Sequence, residues 1–344
     1  MIPVRAGAGC NIKVRHAISE IRLKILMPTI NLAKERPLYL GIETVNVCNA
    51  KCVFCVYASD SRPREVMTME LFEKVLSDYV ASGGGALSFS PLTGDILLDR
   101  FFPERLMKAR QQPLIGDIWF HTNAIAWKRL AESARRTILE NVNQILVSFG
   151  GANREDYAQL MGVDAWAHVV ESVHDMVGTR NELKSRTEVV VVVRARTQPS
   201  AVDLARIVAT RADRVEVDTF FHNWGGALSA PLVSPTDPIP LGPRSPCATL
   251  YVAPMVLVDG RVTACGCANP GGKQLVLGSI REESLGSLWR NAEWNAIVSA
   301  FLSGNLPKTC EQCTYYESCD DVVGNPALKD YRLGENPWSK LQNN

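Results

Sequence analysis

The stretch YLGIETVNVCNAKCVFCVY, residues 39–57, runs from a β-rich segment straight into Cys48, Cys52 and Cys55, with three and then two residues between them. YLGIETV (39–45) has the composition and length of a strand. A loop that leaves the C-terminal end of a strand in an α/β sheet lies where such folds keep their ligands. Three thiols there, with no fourth nearby, suit three irons of a cubane cluster whose fourth iron stays open. A structural zinc ion is the competing reading, but zinc asks for four closed ligands, usually in cysteine pairs.

Outward from that loop, short β-rich runs alternate with amphipathic helical ones as far as residue 225, the pattern of βα units and a parallel sheet. The further strands are ALSFS (86–90), DIWFHT (117–122), QILVSF (144–149), TEVVVVVRA (187–195) and RVEVDTF (214–220). Helical patterns cover 68–82, 99–111, 127–141, 154–180 and 200–211; Thr68 is suited to cap the first, and Gly83, Gly84 and Gly85 to end it. A helical pattern over 11–34 is interrupted by Pro28. The proline- and glycine-rich run from 225 to 247 reads as a linker. Beyond it, LYVAPMVLVDGRVTAC (250–265) reads as a hairpin turning at Asp259-Gly260, with helices over 284–303.

The chain has 344 residues, 46% of them hydrophobic and 21% charged, enough for a large buried core. Thirty-seven basic and thirty-six acidic side chains leave a net charge of +1, which argues against nucleic acid or an anionic membrane surface as partner. No apolar run has the length of a membrane span, and the N-terminus mixes charges throughout, so a cytoplasmic protein is expected. In a reducing compartment, clustered thiols among the ten cysteines serve better as metal or iron–sulfur ligands than as disulfides.

CNAKCVFC, with Phe54 just before the last cysteine, resembles the CxxxCxφC motif of the radical S-adenosylmethionine (SAM) superfamily. The resemblance implies a [4Fe–4S] cluster on Cys48, Cys52 and Cys55. Its open iron chelates SAM, and one electron then cleaves the sulfonium to a 5′-deoxyadenosyl radical. It also implies a partial (β/α)6 barrel over 38–225, preceded by an N-terminal helical segment (1–37). Thr93-Gly94-Asp95 stand where the family carries a Gly-Gly-Glu-Pro segment that holds the SAM amino group; one glycine is replaced, the acid is shorter and Ile96 takes the place of proline. Asn123, in HTNA (121–124), Ser148 and Arg194 resemble further SAM contacts. Each also has an ordinary reading, as a turn asparagine, a capping serine and a solvated arginine.

Cys247, Cys265, the CEQC pair Cys310 and Cys313, and Cys319 resemble the SPASM or shorter twitch extension of radical SAM enzymes. The expected organisation is a linker over 226–246, a small cysteine-rich α+β domain over 247–325 and a tail over 326–344. One auxiliary [4Fe–4S] cluster is implied, on Cys247, Cys265, Cys310 and Cys313, with Cys319 as alternate ligand; zinc remains open for this set. Cys267 and Cys319 are then candidate hydrogen-atom donors, or small buried hydrophobes.

The resemblance implies hydrogen abstraction from a carbohydrate-like molecule (aminocyclitol, aminoglycoside or nucleoside sugar) in natural-product biosynthesis, ending in dehydrogenation or epimerisation. An external donor such as flavodoxin or ferredoxin would supply the electron. Glu43, His121, Asp218, His222 and Asn223, near strand ends, are candidate hydroxyl or amine contacts. Three alternatives stand beside this reading. They are decarboxylation of a sugar acid or nucleoside uronic acid held by Arg194 or Arg196, maturation of a ribosomally made peptide, and a non-catalytic iron–sulfur or zinc protein.

Overall fold

The computed structural model describes residues 11–15, 35–208, 211–229, 233–234, 242–252, 254–266 and 269–320. Ten strands among them form one sheet: β1 (Asn11–Arg15), β2 (Tyr39–Ile42), β3 (Gly85–Ser88), β4 (Ile115–Thr122), β5 (Gln144–Gly150), β6 (Glu188–Arg194), β7 (Arg214–Asp218), β8 (Met255–Val256), β9 (Arg261–Thr263) and β10 (Val276–Ser279). Their order is β1-β7-β6-β5-β4-β3-β2-β8-β9-β10, so the sheet is open, with β1 and β10 at its edges. Strands β2 to β7 are parallel neighbours in sequence order and correspond to the six strands expected from the βα pattern.

Pairing register puts Ile145, Val189 and the residues two and four positions after each on one face, the helix-facing face, where Phe149 meets Tyr157 and Trp166. Along β3 and β4 the same layer is aromatic: Phe72, Phe89, Phe102 and Phe120 form a chain of ring contacts. Because strand side chains alternate, the residues between them face the barrel interior. That inner face holds Ser88, His121, Gln144, Ser148, Glu188, Arg194, Arg214, Glu216 and Asp218.

The helices follow the expected order: α1 (Met69–Ala81), α2 (Phe102–Arg110), α3 (Glu132–Asn141), α4 (Arg154–Met161), α5 (Trp166–Leu183) and α6 (Ala201–Val208). Thr68 caps α1 by accepting from the Leu71 amide at 3.2 Å. The single helical region expected over 154–180 is two helices, because Gly162 adopts φ +64 and ends α4.

The helical reading of the N-terminal segment is corrected at its start. Asn11–Arg15 is a strand paired in parallel with β7. The otherwise unpaired edge of β7 offers this segment a partner for its backbone groups. The rest of residues 1–34, the tail from 321 onward and Cys267 lie outside the described residues.

The extension continues the sheet beyond β2. Strand β8 pairs in parallel with β2, and β8 and β9 form the expected hairpin, with Gly260 at φ +94 in its turn. Two short helices follow, α7 (Thr249–Val252) before the hairpin and α8 (Leu285–Leu288) after β10, then α9 (Ala292–Ser303) and α10 (Lys308–Glu311). Among the described residues no helix is long and apolar enough to cross a membrane.

Candidate active site

Cys48, Cys52 and Cys55 occupy the loop after β2, all half-buried. The loop is held on either side of Cys52 by backbone bonds. Lys51 and Val53 donate to the carbonyls of Met161 and Leu160 at the end of α4, at 3.0 and 2.9 Å. The αL turn at Gly162 makes this possible, since a Cβ there would lie 2.3 Å from the Lys51 carbonyl oxygen. The Cys48 amide donates to the Tyr57 hydroxyl at 3.0 Å.

Burial, with the neighbouring Asp95 and Cys55, pushes the Cys48 thiol up to about 12, and burial beside Cys55 and Cys48 pushes Cys52 still higher. Left alone, these sulfurs stay protonated. A cationic metal centre is what makes such a set of buried thiols ligate as thiolates. The donor set therefore fits a cluster. No three His, Cys, Asp or Glu side chains among the described residues are placed to hold a single metal ion.

The segment Thr93-Gly94-Asp95 packs directly under this loop. Gly94 sits at φ +137, and a Cβ there would lie 2.8 Å from the Val45 carbonyl oxygen. Asp95 donates its amide to the Val47 carbonyl at 2.8 Å. Its carboxylate is buried and accepts from the Leu97 amide (3.0 Å), the Thr122 hydroxyl (2.9 Å) and the Asn123 amide (2.7 Å). Asn123 in turn donates to Asn49 Oδ1 at 2.7 Å and stands 3.7 Å from Cys48 Sγ. Thus Asp95 fixes the end of β4, which presents Asn123 to the cysteine loop.

Of the other expected SAM contacts, Ser148 is on the inner face of β5 and Arg194 ends β6. The Arg194 guanidinium lies over the Phe54 ring at 5.4 Å and pairs with Asp218 at 3.4 Å. Ser88 donates to Ser90, which bonds His121 Nδ1, both at 2.9 Å. The two ends of the interior differ. At the N-terminal end, Arg214 pairs with Glu188 (2.7 Å) and Glu216 (2.9 Å), and Gln144 also bonds Glu188, so buried polar groups plug the barrel. At the C-terminal end, hydroxyls, His121 and the Arg194–Asp218 pair line the floor beside the cysteines.

Glu43, His222 and Asn223 have structural partners. Glu43 is fully buried and paired with Arg62 at 2.5 Å. Asn223 donates to the Gln312 carbonyl at 2.5 Å and accepts from the Thr314 amide at 3.2 Å. The His222 ring packs at a tilt against Trp224 (4.9 Å) and Tyr315 (5.1 Å), and Trp224 donates to the Phe54 carbonyl at 2.9 Å. These three residues tie the barrel to the extension. Sequence reasoning missed Tyr57, Asp60, Arg62 and Trp224. Only the charged run DSRPRE (60–65) hinted that the strand-end acid has a partner.

In the extension, Cys247, Cys265, Cys310 and Cys313 line one small cavity, roofed by Phe301 and Tyr315. Burial, reinforced by Cys313 and Cys247, pushes Cys310 up to about 12, the same signature of a donor set that needs a cation. Cys319 is buried and donates its amide to the Pro246 carbonyl at 3.0 Å, outside that lining.

A family model described as the Radical SAM superfamily matches residues 42–182, and one described as an iron–sulfur cluster-binding domain, SPASM, matches residues 247–314. Among curated proteins, a probable GTP 3′,8-cyclase of Saccharolobus islandicus (strain M.14.25 / Kamchatka #1) is 28% identical over 143 residues, 41% of this chain and 44% of the relative. The chain thus spans less than half the length of that relative.

Among solved structures, BtrN in complex with AdoMet and 2-DOIA is 18% identical, with a TM-score of 0.52 over 81% of this chain and 93% of BtrN. Streptococcus suis SuiB bound to precursor peptide SuiA is 15% identical, with a TM-score of 0.57 over 83% of this chain and 73% of SuiB. Native anSMEcpe with bound AdoMet is 17% identical, with a TM-score of 0.50 over 88% and 95%. These likenesses establish a shared fold. The chain belongs to the radical SAM superfamily of enzymes and carries a SPASM-type extension, and its cofactors are a [4Fe–4S] cluster, SAM and auxiliary iron–sulfur.

Proposed function

We propose that this enzyme abstracts a hydrogen atom from a small, hydroxyl-rich, carbohydrate-like molecule and carries it to a dehydrogenated or epimerised product. The supporting observation is the floor of the barrel at its C-terminal end, where Ser88, Ser90 and His121 form a hydrogen-bonded chain and Arg194 pairs with Asp218. Paired donors and acceptors at fixed spacing suit vicinal hydroxyl or amine groups better than the apolar side chains of a peptide.

In this reading Cys48, Cys52 and Cys55 hold the SAM-binding cluster, and Phe54, Thr93, Gly94, Asp95, Asn123, Ser148 and Arg194 shape the SAM site. When bound, these groups supply a 5′-deoxyadenosyl radical, with the electron drawn from a donor of the flavodoxin or ferredoxin class. The chain's own side chains hold the substrate so that one C–H bond faces that position, and the buried Gln144–Glu188–Arg214 plug keeps solvent from entering below. Cys247, Cys265, Cys310 and Cys313 would hold one auxiliary cluster, which would supply a route for an electron, and Tyr315 of their cavity packs against His222 at the end of the barrel. Arg194, placed in the SAM site and paired with Asp218, is not spare to serve as the substrate-carboxylate clamp that decarboxylation would need.

The test is anaerobic turnover with dithionite, SAM and carbon-deuterated aminocyclitols, nucleosides and peptides. Deuterium in 5′-deoxyadenosine from a sugar-like substrate is expected. Transfer from peptides alone would overturn the substrate class.

A further inference from the structure

Directly behind the cysteine loop lies a charged cluster that the chemistry described above uses only through Thr93. Glu43 at the end of β2, Asp60 and Arg62 on the return arm of the cysteine loop, and Thr93 are all buried. Arg62 is the centre. Its Nη1 donates to Glu43 Oε2 at 2.5 Å, and its Nη2 to Glu43 Oε1 at 3.0 Å, to Asp60 Oδ2 at 2.8 Å and to Thr93 Oγ1 at 3.0 Å. Its Nε donates to Asp60 as well. The Thr93 hydroxyl donates to Asp60 Oδ2 at 2.5 Å, and the Thr93 amide to Glu43 Oε1 at 3.2 Å.

The same cluster reaches the extension. The Glu43 amide donates to the Val256 carbonyl at 2.9 Å, and Glu43 Oε2 accepts from the Val258 amide at 3.4 Å. Val256 is in β8, and the hairpin it begins leads through β9 to Cys265. Lys273 of the extension also donates to Ser61, beside Arg62, at 3.3 Å. One guanidinium fork therefore joins the strand that launches the cysteine loop, the Thr93-Gly94-Asp95 segment and the hairpin that carries an auxiliary cysteine.

Burial opposes the charges, yet hydrogen bonds from Arg62 and Thr93 hold the Asp60 carboxyl at about 2. Burial lowers and the two carboxylates raise the pKa of Arg62, and the carboxylates prevail. A buried fork of this kind is a rigid joint, because loss of any arm leaves a desolvated charge.

We infer that Arg62 is a positioning residue that couples the auxiliary extension to the SAM site, so that occupancy of the extension's cysteine cavity sets SAM affinity. Its hydrogen bonds go to Glu43, Asp60 and Thr93. It acts by fixing Thr93 relative to Glu43, and hence Gly94 and Asp95 beneath the cysteine loop. The inference rests on the reading of Thr93-Gly94-Asp95 as part of the SAM site.

The test uses full-length, anaerobically reconstituted protein and SAM itself as the probe, with affinity read by equilibrium dialysis and iron by assay. Arg62→Lys keeps the charge and loses the fork, and circular dichroism checks that the variant is folded before SAM binding is read. It should bind SAM about tenfold more weakly with unchanged iron. Cys310→Ser, which removes an auxiliary ligand, should weaken SAM binding about fivefold in the wild-type background and add nothing in Arg62→Lys. Thr93→Val, which removes only the hydroxyl shared by Arg62 and Asp60, should abolish the same coupling. Wild-type SAM affinity in Arg62→Lys, or independent and additive effects of Arg62→Lys and Cys310→Ser, would overturn the inference while leaving the SAM site in place. Failure of wild-type protein to bind SAM would overturn both.

Discussion

Replacing Gly94 by alanine tests the geometry beneath the cysteine loop at a single atom. Gly94 has φ +137, a region that side-chain-bearing residues rarely enter, and an added Cβ would stand 2.8 Å from the Val45 carbonyl oxygen and 3.0 Å from Asn46 Cα. Neither contact is the end of a flexible side chain. Both belong to the backbone that leads into Cys48, so the loop or the Thr93-Asp95 segment must move. Backbone strain of about 1–3 kcal/mol and overpacking of about 1–3 kcal/mol give a loss of about 2–6 kcal/mol.

Gly178, inside α5, is the control, because a Cβ there meets nothing within 4 Å. Gly178→Ala should stabilise the helix by about 0.5–1 kcal/mol. In urea unfolding of the metal-free protein followed by circular dichroism, the Gly94→Ala midpoint should fall by about 1 M and that of Gly178→Ala should rise slightly. On reconstitution, Gly94→Ala should also lose SAM binding. Coincident midpoints for Gly94→Ala and wild type would refute the close approach that places this segment against the loop.

Other substitutions probe separate joints. Asp95→Asn puts an amide where the carboxylate accepts from Asn123 and Thr122, and should cost about 1–3 kcal/mol in the same urea assay. Arg105→Met leaves Asp99, its fully buried partner at 2.8 Å, without its cation, and should destabilise by about 3–5 kcal/mol. Trp224→Phe removes the bond to the Phe54 carbonyl and should cost about 0.5–1.5 kcal/mol without changing iron content. Cys310→Ser should lower bound iron by about four per chain and leave the iron of the first cluster in place.

The barrel was legible because its strands are rich in β-branched and aromatic residues and alternate with amphipathic helices. TEVVVVVRA and the Thr68-led helix carry that signal within a dozen residues. The edge strand Asn11–Arg15 was not, since so short a segment fits a helix pattern as well as a strand until β7 supplies the partner. The parallel pairing of β8 with β2 joins Gly41 to Met255, and no local pattern reports a partner so distant.

The first cysteine triplet stood out by its spacing, whereas the side chains near it were harder to assign. Glu43 looks like a site acid from its place at a strand end, and only the fold reveals Arg62 and Thr93 around it. Asn223 and His222 likewise sit at the mouth of the barrel but are taken up by Thr314 and Tyr315 of the extension.

The most direct test of the account is iron, sulfide and reductant-dependent 5′-deoxyadenosine formation in anaerobically reconstituted protein, compared with a Cys48→Ala, Cys52→Ala, Cys55→Ala triple variant. About eight irons in the wild type falling to about four, with SAM cleavage abolished, is the predicted result. Cleavage that survives loss of the three cysteines, or zinc in place of iron, would contradict it.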